Sequence, residues 1–260
     1  MKKIIAVIPA RMGSTRFPGK PMARIHGVPM VGHVYFRTKM CSLLNQTYVA
    51  TCDQEIYDYI ESVGGKAIMT ANTHERCSDR TAEAMQKVES ETGGRVDIVV
   101  MVQGDEPMVT PEMIERAIIP MLNDDSVQVV NLMAHIKTPE EFDDPNEVKV
   151  VVDLQSRALY FSREPIPSRK KGMNTVPMLK QVCIIPFRRD YLLEFNSLPE
   201  TPLEKIESVD MMRVIEHGEH VHMVMSDTET VSVDTPKDLE RVVDLMKEDS
   251  LLNEYISANG

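Results

Sequence analysis

No apolar run in this chain is longer than a strand, which excludes a transmembrane helix. The opening MKKIIAVIPAR ends its apolar stretch at Arg11, too early for a secretory signal. Cysteine is scarce: Cys41, Cys52, Cys77 and Cys183 stand far apart, without the paired spacing of a zinc site or a disulfide framework. Reduced thiols in a cytoplasmic protein are the expectation, with Cys52 and Cys183 buried in β-like runs and none acting as a nucleophile. A broad basic face is also missing. With 29 Lys and Arg against 40 Asp and Glu, the net charge is −11, which argues against a nucleic-acid surface. It leaves room for a small anionic ligand held by a local cluster. Internal repeats and low-complexity linkers are absent.

What is present is alternation. IIAVIP, QTYVAT, KAIMT and VDIVVMV are strand-like, and helical patterns follow each of them. That order marks a parallel sheet covered by helices on both faces. The early strands are apolar almost throughout, as strands buried on both faces should be. After about Ile136 the pattern loosens. EVKVVVD and RALYFSR predict a hairpin, LKQVCIIPF a single β-run and PLEKIESVDMMRVIEHG a helix. HVHMVMSD predicts a strand, and TPKDLERVVDLMKE a closing helix that opens on Thr-Pro. The expectation is one α/β domain over 1–260, with a smaller sheet layer, β-rich over roughly 137–200, and no clean boundary.

Just past the first strand, RMGSTRFPGKP gathers Arg11, Arg16 and Lys20 into a glycine-bearing turn. Loops at the carboxyl edge of a parallel sheet are where open α/β folds bind ligands. Glycines admit close approach of an anion, and the guanidinium forks and the lysine ammonium match phosphate oxygens. The bland alternative is a solvated basic loop. The turn fits neither G-x-x-x-x-G-K-[ST] nor G-x-G-x-x-G, so the anion site is of another kind. VDIVVMVQGDEP sets Gln103, Gly104, Asp105 and Glu106 beyond another apolar strand, at the same sheet edge. A triphosphate needs magnesium, a hard cation held by one or two carboxylates, and Asp105 is the natural first ligand. A simple turn would also favour Asp and Gly. Asp234, in VSVDTP, fits equally as a metal ligand or as the N-cap of the closing helix.

The stretches IPARMGSTRFPGKPM, VQGDEPM, PNEVKVVVD, ALYFSREPIP, PLEKIE and VDTPKDLERV occur in this order over nearly the whole chain. Together they resemble the CMP-Kdo synthetase family, the 3-deoxy-manno-octulosonate cytidylyltransferases. The resemblance implies a Rossmann-like, mostly parallel sheet with an additional smaller β-layer. It also implies an Mg2+-dependent reaction of CTP with a sugar acid, giving a CMP-sugar and pyrophosphate, in a homodimer serving lipopolysaccharide biosynthesis. Carried over, Arg11, Ser14, Arg16 and Lys20 would hold the CTP phosphates, with Arg11, Lys20, Asp105 and Asp234 the catalytic set. Asp105 and Asp234 would bind the metal. Gln103, Ser78 and Arg80 would lie by the nucleotide, Arg163 would face the acceptor carboxylate, and Glu204 and Glu207 would lie near its hydroxyls.

The chain departs from that pattern twice. HERCSDR puts Arg76 and Cys77 where the family has a small residue and a glycine; Arg76 reaches an anion or is simply solvated. In QVCIIPF, Gln181, Cys183 and Ile185 take the positions of a histidine, a glycine and a tyrosine. A nucleotide half kept and an acceptor half altered point to another acceptor: a modified ulosonic acid, another sugar acid or a phosphonate, with Gln181 facing it. Transfer of a different nucleotide, and a binding protein without turnover, are the competing functions. The histidines of HGEHVH, with His220 and His222 expected on one strand face, and the 19 methionines are read as ordinary packing.

Overall fold

In the computed structural model, which describes residues 2–13, 16–170, 176–228 and 230–259 (without the side chains of 257–259), the first apolar run forms strand β1 (Ile4–Ala10). All seven of its residues are buried. Each large side chain sealed there contributes about 1.5–3 kcal/mol of hydrophobic stabilisation, which explains why no polar residue interrupts the run. A turn of 3-10 helix, Lys20–Met22, follows the basic loop, and a small hairpin of β2 (Arg24–Ile25) and β3 (Val28–Pro29) leads into α1 (Met30–Lys39). Then come β4 (Gln46–Thr51), α2 (Gln54–Ser62), β5 (Ala67–Met69), α3 (Cys77–Thr92), β6 (Ile98–Val102) and α4 (Pro111–Asn123). The chain groups into two units, Met1–Glu115 with Thr230–Gly260, and Arg116–Glu229.

In the first unit the strands lie in the order β6-β1-β4-β5, all parallel, with Ile5 opposite Gln46 and Ile4 opposite Ile98. The α/β class is the one the alternation implied. The helices follow from spacing: Ile56 and Ile60 bury one stripe of α2, while Gly93, at φ 66°, ends α3 in the left-handed conformation. Gly104 matters for position. A Cβ there would stand 3.1 Å from the Pro9 carbonyl oxygen, so glycine lets the loop after β6 lie against the end of β1.

The second unit is a mixed sheet. It contains β7 (Val130–His135), α5 (Pro139–Asp143), β8 (Lys149–Val152), β9 (Ala158–Ser162), β10 (Leu179–Val182), β11 (Ile184–Arg188), α6 (Arg189–Ser197), α7 (Pro202–Glu207), α8 (Met211–Glu216) and β12 (His222–Ser226). The sheet has five of these strands, in the order β12-β7-β10-β8-β9 and without β11, and β8 and β9 form the expected hairpin. Four expectations are corrected. LKQVCIIPF breaks at Cys183 into β10 and β11. PLEKIESVDMMRVIEHG is two short helices, because Ser208 adopts φ 53° and stops the first. His220 lies before β12 rather than sharing a strand face with His222, and Cys52 and Cys183 are half-buried.

The chain returns to the first unit through α9 (Pro236–Leu245) and α10 (Ser250–Asn259). Tyr255 of α10 receives a hydrogen bond from Arg37 Nε at 3.1 Å and meets His33 Nδ1 at 2.6 Å. His33 Nε2 contacts the Ile25 carbonyl at 2.7 Å. A carbonyl only accepts, so Nε2 carries the proton, and Nδ1 accepts from the tyrosine. Among the described residues no helix is long and apolar enough to cross a membrane.

Candidate active site

The basic loop is held at both ends. Met12 N–H donates to Asp53 Oδ2 at 2.8 Å, and Gly19 N–H to the Met12 carbonyl at 3.2 Å. Gly19, at φ 75°, makes the turn that delivers Lys20. Lys20 Nζ donates to Asp105 Oδ2 and to the Val233 carbonyl, both at 2.8 Å, and stands 3.5 Å from Asp234 Oδ1. Arg16 Nη2 donates to the same Asp234 oxygen at 2.9 Å. Val233 N–H completes the junction on the Asp105 carbonyl at 2.9 Å. Three segments more than 80 residues apart in sequence thus meet at one sheet edge.

The helix start removes one of the two readings of Asp234, that of N-cap. Thr235 is the N-cap of α9, with a capping box to Asp238, so the Asp234 carboxylate faces the two cations. Burial, then the charge of Asp105, raise its pKa; Lys20 and Arg16 offset this only partly. Burial alone would lower the Lys20 pKa, but the charge and hydrogen bond of Asp105 and the charge of Asp234 outweigh it, and the ammonium is held above its usual range.

Beside this cluster, Arg11 Nη1 donates to the His74 carbonyl at 3.3 Å. The 71–76 loop is held by Glu83, which accepts from Ala71 N–H at 3.0 Å and pairs with His74. Burial opposes ionisation of Glu83, but Lys87, the Ala71 N–H and His74 together bring its pKa down to about 2. Ser78 and Arg80 are buried on the first turn of α3, and Arg76 is its N-cap residue. Arg80 Nη1 donates to Thr70 Oγ1 and the Ala71 carbonyl; its Nη2 is buried and has no partner among the described residues. Gln103 follows β6 and is half-buried; Ser14 lies outside the described residues.

In the second unit the four expected acceptor residues are largely engaged with the protein. Arg163 donates to the carbonyls of Glu207 at 2.7 Å, Pro145 at 2.8 Å and Ser208 at 3.4 Å. Glu207 accepts from Tyr160 Oη, Ser162 Oγ and Arg163 N–H at 2.8–3.1 Å. Glu204 is fully buried and takes the fork of Arg213 through both oxygens, at 2.8 and 2.6 Å. That geometry makes Glu204 a brace between α7 and α8. Gln181 donates to Asn131 Oδ1 at 2.6 Å, and Ile185 is buried. Sequence reasoning named neither Asn131 nor Arg213 as partners. Their contacts lie 50 and nine residues away, and neither spacing marks a shared helix face.

Cations suited to a polyphosphate beside two carboxylates, on the carboxyl edge of a parallel sheet, are what transfer of a nucleotidyl group requires. This places the protein in the nucleotidyltransferase class. Comparison with known proteins narrows it. The cytidylyltransferase family model matches residues 5–222. The 3-deoxy-manno-octulosonate cytidylyltransferase of Geotalea uraniireducens is 43% identical over 255 residues, covering 94% of this chain and 99% of that protein. Its counterpart in Geobacter metallireducens is 42% identical over 252 residues, covering 93% and 97%. A solved CMP:2-keto-3-deoxy-manno-octonic acid synthetase complexed with CTP matches with a TM-score of 0.87 at 40% identity, over 95% of this chain and 100% of that one. The chain belongs to the cytidylyltransferase family and is a CTP-dependent nucleotidyltransferase.

Proposed function

We propose that this enzyme joins CTP to Kdo or a closely related anionic sugar acid, yielding the CMP-sugar and pyrophosphate. The observation that carries the reading is Lys20 set between Asp105 and Asp234, with Arg16 on the second carboxylate. The acceptor class comes from the names of the close relatives. An acceptor hydroxyl attacks the α-phosphorus and gives its proton to solvent, the bond from that phosphorus to the bridging oxygen breaks, and pyrophosphate leaves with the electron pair. Arg11, Arg16 and Lys20 bind and orient the phosphates and balance the charge that builds on the leaving group. Ser14, Ser78, Arg80 and Gln103 serve the nucleotide, and Arg163 and Gln181 the acceptor. Glu207 positions Arg163 through its backbone.

Two carboxylates facing one ammonium are a hard-oxygen donor pair that fits Mg2+, with the triphosphate completing the ligand set. Among the described residues no group of three or more His, Cys, Asp or Glu could hold a metal without such help. The repulsion from Asp105 that helps to raise the Asp234 pKa is relieved by a divalent cation. Asp105 and Asp234 would hold it, and it would neutralise phosphate charge and polarise the phosphoryl oxygens. The enzyme works in the cytoplasm as a homodimer, with the β-rich part of the chain forming the acceptor and contact layer.

A second reading, a non-Kdo acid or phosphonate as acceptor, is favoured by one observation: Gln181 is a neutral amide tied to Asn131. Pyrophosphate release with CTP and Mg2+ against Kdo, its 8-amino analogue, other ulosonic acids and small phosphonates separates the two. Turnover with Kdo supports the first reading; turnover with another acid and none with Kdo selects the second. No release with any acceptor removes both.

A further inference from the structure

We propose that Glu106 is a positioning residue that sets where Asp234 stands relative to Asp105 and Lys20; the inference rests on the metal-binding role proposed for Asp234. Glu106 is 1% exposed. Its Oε1 accepts from Ser232 Oγ at 2.6 Å and its Oε2 from Thr230 Oγ1 at 3.1 Å. A buried carboxylate is costly unless its oxygens are satisfied, so this arrangement strongly prefers one placement of the 230–234 segment. That segment belongs to no strand ladder; β12 ends at Ser226 and α9 begins at Pro236. Residues 230, 232 and 234 recur at a spacing of two. The first two meet Glu106 and the third meets Arg16 and Lys20, while the intervening Val231 and Val233 are buried. Adjacent residues therefore divide the work. Asp105 faces the ammonium, and Glu106 holds the segment that brings the second carboxylate to it.

The test is Glu106→Gln, which keeps the shape but removes the charge. Mn2+ binding, read by electron paramagnetic resonance with a non-hydrolysable CTP analogue present, should weaken about 10- to 100-fold, the usual cost of losing a partner that orients a ligand. The Mg2+ concentration giving half-maximal pyrophosphate release should rise in parallel, while calorimetric CTP affinity without metal changes less than about threefold. Ser232→Ala and Thr230→Val act from the opposite side and should each shift metal binding in the same direction if Glu106→Gln fails to fold. Asp234→Asn is the reference. If it shifts metal binding and the Glu106, Ser232 and Thr230 variants do not, Glu106 is only a structural staple and the proposal fails. If Asp234→Asn itself leaves metal binding unchanged, the metal role of Asp234 fails, and the positioning role falls with it. A Glu106→Gln/Asp234→Asn double variant no weaker than Asp234→Asn alone is the result expected of residues acting through one another.

Discussion

Replacing Arg213 with methionine removes the counter-ion of a carboxylate that has no exposure to solvent. In the native protein Glu204 receives the Arg213 fork at 2.8 and 2.6 Å. The same guanidinium donates to the Phe195 carbonyl at 3.1 Å and lies 4.6 Å from the Phe195 ring centre. Loss of one partner from a buried ion pair costs about 3–5 kcal/mol, because the other charge is left desolvated. At roughly 2–4 °C per kcal/mol, the thermal midpoint should fall by about 6–20 °C. Most of that loss should return in a Glu204→Leu/Arg213→Met double variant, since two apolar side chains can fill the space without an orphan charge. Thermal unfolding of the wild type, both single variants and the double variant reads this directly, alongside the Michaelis constant for the acceptor. The reasoning is refuted if Arg213→Met keeps the wild-type midpoint. It is equally refuted if Glu204→Leu raises the acceptor constant at unchanged stability, for then the carboxylate serves the acceptor and not the α7–α8 junction.

Burial, with a smaller contribution from Arg37, lowers the His33 pKa from 6.5 to about 4, so the folded chain keeps the ring neutral where the unfolded chain takes a proton. Stability should therefore be level above pH 6.5 and fall between 6.5 and about 4, by about 3 kcal/mol in total. Urea titrations across that range should show a shallower slope for His33→Gln; equal slopes would remove His33 as the cause. Lys20→Met strips Asp105 of its ammonium and leaves Asp234 with Arg16 alone, and steady-state pyrophosphate release should fall at least ~100-fold. Near-normal turnover would show that the ammonium is only a tether. Glu83→Gln loosens the 71–76 loop and should raise the Michaelis constant for CTP about three- to tenfold with kcat little changed. The Glu83 contribution to stability is present above pH 4.5 and is lost as pH falls toward about 2, so the variant should lack that acid dependence.

The meeting of Lys20 with Asp105 at the sheet edge was largely readable in the sequence, because it depends on local order. A fully apolar strand followed by a basic, glycine-bearing turn, and a second such strand followed by QGDEP, both end at the same sheet edge once the sheet is parallel. The period of apolar residues and the turn residues are short-range signals, and they determine the α/β class and the place of Lys20 and Asp105. The choice for Asp234 was different. Asp and Thr are both good N-caps, and only the capping box between Thr235 and Asp238 frees Asp234 to meet Arg16 and Lys20.

The residues expected to serve an acceptor show the limit more sharply. Motif position put Glu204 near an acceptor, yet burial and Arg213 make it a brace; Arg163, expected to face a carboxylate, gives three of its five N–H donors to backbone carbonyls. A carboxylate or a guanidinium carries the same chemistry wherever it stands in a sequence. Whether it meets a ligand or a neighbour depends on which groups share its desolvated space, and those neighbours arrive from distant segments, as Thr230 and Ser232 reach Glu106 across more than 120 residues. Local pattern was enough for the strands, the turns and the sign of the charge at the sheet edge. Tertiary packing chose the partners of the buried charges, because the cost of desolvation is settled only when the chain has closed around them.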